Sequence, residues 1–208
     1  MTELILYHCP QTRAGTTLWM NEELSAPCEV KLINVLAGEQ KTPEFLAVNP
    51  MGKVPALVDE GHVVTEAAAI CAHLADRFPD AGLAPLPGDP ARGTYLRWMF
   101  FAPSCIEPMM LDKLGNTPRT NSSSVGYGGE DAVLGALKGL LTDRDYVLGD
   151  QFSAVDVVLG STLNFATMFG AIEKVEPFAS YLDRLMSRPA VQKANEKNEA
   201  FLAQLARE

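Results

Sequence analysis

The sequence predicts an α/β domain followed by an all-α domain. Three observations carry this prediction. Short runs of β-formers alternate with amphipathic helical stretches up to about residue 80. The segment Pro79-Asp80-Ala81-Gly82-Leu83-Ala84-Pro85-Leu86-Pro87-Gly88 then has the proline and glycine density of a linker. After it, every long segment reads as helix, which predicts domains at 1–80 and 89–208 joined by 81–88.

Taken in order, Leu4 to Tyr7 is a first strand and Ala14 to Leu24 a first helix. Val30 to Val35 is a second strand, and Pro43 to Ala47 a short helical turn. Ala56 to Val58 and Val63-Val64 form a hairpin across the turn residues Asp59-Glu60-Gly61. A helix from Ala67 to about Phe78 closes this part, and the order suggests an α/β sandwich of the thioredoxin-like type. Beyond the linker, a helical stretch from about Ala91 to Leu114 contains Pro103 and Pro108, either of which should bend or break it. Residues 115 to 129 read as a polar loop, a connector or a lid carrying Tyr127. Ser153 is a helix N-cap with Asp156 as its capping-box partner and Phe152 stapled on Val157. Arg188-Pro189 opens the last helix, with proline where its missing N–H costs little.

Composition excludes several function classes. With 47% hydrophobic and 21% charged residues, the 208-residue chain can bury a sizeable core. No apolar run approaches the ~20 residues that span a bilayer. The amino terminus, Met1-Thr2-Glu3-Leu4, lacks the basic flank and apolar stretch of a secretory signal, which leads to the expectation of a cytoplasmic location without membrane partners. Net charge is −9, and residues 1–80 alone carry 5 basic against 11 acidic side chains, so nucleic acid is not an expected partner. The four cysteines, Cys9, Cys28, Cys71 and Cys105, have neither Cys-x-x-Cys spacing nor clustering with His8, His62 and His73, so reduced thiols and no metal are expected. The histidines themselves have no carboxylate partner at an informative spacing.

The run Asn49-Pro50-Met51-Gly52-Lys53-Val54-Pro55-Ala56-Leu57 through Thr65-Glu66-Ala67 is the most informative. Pro55 cannot donate a ladder hydrogen bond and belongs at a strand entrance. If the bond before it is cis, the Val54 backbone faces outward, free to pair with an extended ligand. The first-turn amides of the helix at Ala67 have no intrahelical partner and attract an anion. An acid at Glu66 suits a ligand with an ammonium group beside that anion.

This run, with Leu6-Tyr7-His8-Cys9-Pro10-Gln11-Thr12-Arg13 before it and Tyr146 to Asp156 after it, resembles the cytosolic glutathione transferase family. The resemblance implies the glutathione transferase fold, a homodimer, reduced glutathione as co-substrate and a hydrophobic small-molecule electrophile. Carried over by position, Val54 and Pro55 hold the cysteinyl unit, Glu66 and Ala67 the γ-glutamyl end, and Lys41 or Lys53 the glycyl carboxylate. Most members have serine where this chain has Ala67, which costs one hydrogen bond, roughly 1 kcal/mol.

Such an enzyme must lower the pKa of the bound thiol, because the thiolate is the nucleophile. Thr12 stands where many related transferases carry serine and is the first choice for the stabilising hydroxyl, beside a helix amino end. Arg13 falls where some bacterial members have a catalytic cysteine, and could act by charge. Cys9 could instead form a mixed disulfide, making the chain a glutathione-dependent disulfide oxidoreductase. Tyr7 is expected to pack on the sheet. Trp98, Phe101, Cys105 and Met109 are the expected substrate-pocket residues, in a stripe that equally suits a core. A glutathione-transferase-like interaction module without catalysis is the alternative from another class.

Overall fold

The computed structural model describes residues 4–117 and 122–206. The chain divides into two compact units, Gly82–Met186 and the residues on either side of it, up to Ala81 and from Ser187 onward. The part of the 115–129 loop at 118–121 lies outside the described residues.

In the first unit, β1 (Leu4–His8) runs between β2 (Cys28–Leu32) and β3 (Ala56–Asp59), and β4 (His62–Thr65) forms the edge. β1 pairs parallel with β2 and antiparallel with β3, and β3 pairs antiparallel with β4. Leu6 and Leu57, directly paired and fully buried, mark the middle of the sheet. β2 corrects the expected Val30–Val35. Cys28, Val30 and Leu32 are the partly buried side of an alternating run, and pairing starts at Leu4 with Cys28. After Ile33 donates to the His8 carbonyl (2.9 Å), the Asn34 side chain and carbonyl turn the chain away by accepting from the Ala37 and Glu39 amides. The β3–β4 turn has Glu60 and Gly61 both at positive φ (48° and 84°), the geometry that fits the twist of a two-residue hairpin.

Helix α1 (Ala14–Leu24) ends where Ser25 enters the left-handed region and returns its N–H to the Asn21 and Glu22 carbonyls. A 3₁₀ turn, Glu39–Lys41, precedes α2 (Pro43–Val48), which Thr42 caps through the Phe45 amide with Pro43 in the first turn. Helix α3 (Ala67–Arg77) follows β4 directly and buries Ile70, Cys71, Leu74 and Ala75. The last helix in this unit is the carboxy-terminal Pro189–Leu205, labelled α9 below, which packs on α1.

The second unit is helical. Helix α4 (Ala91–Phe101) does not break at Pro103, one of the two outcomes, bend or break, expected of the prolines. It widens into a π-helical turn, Ala102–Ile106, and resumes as α5 (Glu107–Leu114). The wider turn takes up the missing proline amide: the Glu107 N–H reaches back to the Ala102 carbonyl, and the Ser104 hydroxyl donates to the Phe100 carbonyl at 2.6 Å. Pro108 sits in the first turn of α5, where it is tolerated. Helices α6 (Glu130–Leu141), α7 (Ala154–Met168) and α8 (Phe178–Met186) complete the unit. The α7 capping box forms as read, with the Asp156 carboxylate accepting from the Ser153 amide (2.9 Å) and from the Val147 amide (2.8 Å). The segment at Gly82 and Leu83 is tied to the same place, through Ala154 N–H to Leu83 and Gln151 to Gly82. No described helix is long and apolar enough to cross a membrane.

Candidate functional site

The turn before β3 is built around Asn49, which is 3% exposed. Its side chain donates to the Lys53 carbonyl (2.7 Å) and accepts from the Met51 amide (3.1 Å), while its own carbonyl accepts from Gly52 (2.8 Å). Gly52 has φ +60°, and a Cβ there would lie 2.7 Å from both the Gln40 carbonyl oxygen and the Lys41 Nζ. Only glycine fits so close an approach at that backbone angle. The Lys41 ammonium donates one of its three N–H groups to the Met51 carbonyl (3.2 Å), and both Lys41 and Lys53 are exposed.

The Val54–Pro55 bond is cis. The Val54 side chain packs on the cluster of Ile33, Phe45 and Ala56, together with Tyr7, Val35 and Val48. Its main chain precedes the first ladder pair of β3, Ala56 with Thr65, and among the described residues neither its N–H nor its C=O makes a hydrogen bond. Tyr7 meets Phe45 edge-on at 5.5 Å and belongs to this core.

At the start of α3, Glu66 has φ 70° and ψ 122°, a conformation that L-residues occupy at a cost. Its side chain is exposed and does not cap the helix. The first intrahelical bond is from Ile70 N–H to the Glu66 carbonyl, which leaves the amides of Ala67, Ala68 and Ala69 without a helical partner. Ala67, half-buried, contributes only its backbone. Gln11, in the turn that leads to α1, also has positive φ (59°).

In that turn the Thr12 hydroxyl donates to the Cys9 carbonyl (2.7 Å) and accepts from the Ala14 amide (3.1 Å). A hydroxyl has one proton, so Thr12 must leave Cys9 before it can donate to a sulfur, forgoing about 1 kcal/mol. Cys9 is buried at 8% exposure, and Arg13 is half-buried at the N-cap of α1. All four cysteines are free. Burial pushes the Cys28 thiol up to about 11 and the Cys71 thiol higher still, which makes both poor nucleophiles.

The residues expected in a substrate pocket lie along α4, the π-helical turn and α5. Trp98 and Phe101 pack edge-on at 4.8 Å, and the Arg97 guanidinium stands 4.6 Å over the Trp98 ring. Trp98 and Met109 are buried, 3% and 2% exposed, while Phe101 and Cys105 are partly accessible. A cavity of about 260 Å³ beside Met109 is otherwise polar, lined by Asp112, Lys113, Asn116, Tyr127 and Glu130. The Tyr127 hydroxyl donates to Asp112 (2.8 Å), which ties it to α5. A larger cavity of about 480 Å³, between Leu141–Asp145 and Glu176–Arg184, contains none of the expected site residues.

Two features escaped the sequence reading. Asn49 was not singled out, although a buried asparagine in a proline-glycine turn is a signal for side-chain support of that turn. His73 does have a carboxylate partner, contrary to expectation: its Nε2 lies 2.8 Å from Asp59, which Arg77 also approaches at 3.5 Å. The partners are brought together by the β3–α3 packing and not by local spacing. Among the described residues no group of three or more His, Cys, Asp or Glu is placed to hold a metal ion.

With this geometry in hand, comparison with known proteins is direct. Residues 2–76 match the glutathione S-transferase N-terminal domain family, and residues 127–189 match the glutathione S-transferase C-terminal domain family. Glutathione S-transferase 1 of Schizosaccharomyces pombe is 30% identical over 194 residues, covering 81% of this chain and 84% of the relative. The maleylacetoacetate isomerase of Pseudomonas aeruginosa is 30% identical over 172 residues, covering 78% and 80%. Among solved structures, a sphingomonad glutathione S-transferase complexed with glutathione superposes with a TM-score of 0.75 at 30% identity, covering 94% of this chain and 98% of the other. The mixed four-stranded sheet, the helical second unit and these matches together establish that the chain belongs to the glutathione S-transferase family and has its fold.

Proposed function

We propose that the chain is a glutathione transferase that activates the thiol of reduced glutathione for attack on a hydrophobic electrophile. The observation that carries this reading is the unbonded main chain of Val54 in the same unit as the open amino end of α3. The first offers one donor and one acceptor to an extended peptide. The second offers amides to a carboxylate, with the Glu66 side chain available to the neighbouring ammonium group. In this reading Val54, with Pro55, pairs with the cysteinyl unit and Glu66 and Ala67 hold the γ-glutamyl end. Lys53, inside the Asn49–Ala67 motif, takes the glycyl carboxylate, with Lys41, which spends one of its three donors on Met51, as the second candidate. The relative solved with bound glutathione supports the same ligand here.

Thr12 is the thiol-activating group. Its hydroxyl turns from the Cys9 carbonyl to the sulfur, the thiol proton leaves to solvent, and the amino end of α1 favours the resulting thiolate. The sulfur then forms a bond to an electrophilic carbon, and the electron pair displaced there leaves with a departing group or moves into the substrate. Of the residues expected to receive the electrophile, Phe101 and Cys105 have accessible apolar surface, whereas Trp98 and Met109 are buried in the core. Arg13 assists by charge, and the enzyme acts in the cytoplasm as a homodimer. The burial of Cys9 argues against a mixed-disulfide mechanism.

A second reading, a binding module without catalysis, is favoured by the commitment of the Thr12 proton to Cys9 and by the absence of a hydroxyl at Ala67. Calorimetry with reduced glutathione and ultraviolet titration of the bound thiolate separate the two. The transferase reading expects saturable binding, a bound thiol below the ordinary value near 8.5, and an upward move of about one unit in Thr12→Ala, the equivalent of roughly 1.4 kcal/mol. Binding with an unshifted thiol would leave the module, and no binding would defeat both.

A further inference from the structure

His8 is a fully buried titratable side chain of the first unit that the proposed chemistry leaves without a task. It is the last residue of β1, and the next five residues, Cys9 to Arg13, form the turn that contains Thr12. Its carbonyl is fixed by the Ile33 amide at 2.9 Å. Its ring is fixed by α9: Nε2 lies 2.8 Å from Asn198 Oδ1, and the Phe201 ring lies 5.6 Å away between centroids. With an amide oxygen opposite it, Nε2 carries the proton and donates. Nδ1 is buried and has no hydrogen-bond partner among the described residues. Burial holds the imidazole below its ordinary value, so the ring is neutral at physiological pH and has a single donor. Asn198 receives that donor.

Helix α9 is itself anchored on α1. Arg188 grips Glu23 with two bonds (2.6 and 2.8 Å), Glu23 also accepts from the Trp19 indole (2.8 Å), and Lys197 pairs with Glu22. The anchor therefore holds α1 and, through Asn198, the end of β1. Between these two fixed points lies the turn in which the Cys9 carbonyl orients the Thr12 hydroxyl.

We infer that His8, held by Asn198, is a positioning residue for the Cys9–Arg13 turn, so that the last helix sets the aim of the Thr12 hydroxyl. The chemical consequence rests on the transferase reading, while the geometric one does not. Misplacing a reacting group by about 1 Å costs on the order of a hundredfold in rate. A ring that is free to swing would move Cys9 and therefore Thr12.

The test is Asn198→Ala in the full chain, beside His8→Leu and His8→Gln. In free Asn198→Ala, amide hydrogen exchange over residues 9–14 is expected to quicken by about tenfold, while exchange in the α1–α9 contact at Glu22 and Glu23 stays near native. With glutathione bound, the thiol titration is expected to move up by about one unit, and affinity to change by less than about twofold, because Val54 and Glu66 are untouched. His8→Gln keeps a donor for Asn198 and is expected to stay close to native in both measurements, and His8→Leu to follow Asn198→Ala. Native exchange over 9–14 in Asn198→Ala, or His8→Gln no better than His8→Leu, would overturn the inference. If the native protein does not bind glutathione, the transferase reading fails and the exchange comparison still decides the positioning role.

Discussion

Replacing Asp156 with asparagine turns a buried carboxyl into a measurable pH effect. Asp156 is fully buried and accepts from the Val147 amide (2.8 Å), the Ser153 amide (2.9 Å), the Ser153 hydroxyl (3.2 Å) and the Tyr181 hydroxyl (3.0 Å). Burial pushes its carboxyl from 3.8 up to about 6, against the opposing pull of those donors. A folded value above the unfolded one means that the contribution is fully present below about 3.8 and is lost as pH rises through about 6. A rise of about two units corresponds to roughly 3 kcal/mol. The asparagine variant has no such titration, and its amide turns a donor toward the amides that the carboxyl served, so it is expected to be less stable by about 1–3 kcal/mol at the low end of the range and to equal or exceed the native protein above pH 6. Urea unfolding of both proteins at several values between pH 4 and 7 reads the difference directly. The stability gap is expected to narrow by about 3 kcal/mol as pH rises, mostly before pH 6. A gap that stays constant or widens with pH would refute the reasoning, since the donors and not burial would then govern the carboxyl.

Two further outcomes concern the ligand site. Ala67→Ser restores a hydroxyl at the first turn of α3 and is expected to strengthen glutathione binding about fivefold, the equivalent of roughly 1 kcal/mol, by calorimetry. Unchanged or weaker binding would remove Ala67 from the site. Gly52→Ala places a methyl group 2.7 Å from the Gln40 carbonyl oxygen at a backbone angle that disfavours alanine, so a loss of about 2–3 kcal/mol is expected in denaturant unfolding, with weakened glutathione binding. A native midpoint would show that the 49–53 turn is looser than described.

The parts of the fold that were legible in the sequence are those settled within a few residues. The bounds of α1, the hairpin around Glu60-Gly61, the capping box at Ser153 and the proline start at Arg188 depend on neighbours along the chain. β2 was read too late because Ile33 and Val35 are as apolar as Val30 and Leu32. Only pairing with β1 shows that the strand ends at Leu32. The π-helical turn was hidden for a different reason: proline signals the loss of an amide, but not whether the helix answers with a break or a wider turn. Within the site, the Asn49-to-Ala67 motif could be read because its glycine and prolines have narrow backbone requirements. The direction of the Thr12 proton, the pairing of His73 with Asp59 and the tether from His8 to Asn198 all depend on distant elements meeting.

The return of α9 to α1 has a consequence for how the protein is made. On the ribosome, the sheet and its first three helices emerge before α9, so Glu23, Glu22 and His8 wait for partners 165, 175 and 190 residues further along the chain. The sheet unit is thus completed only after the whole helical unit inserted in its sequence has been synthesised.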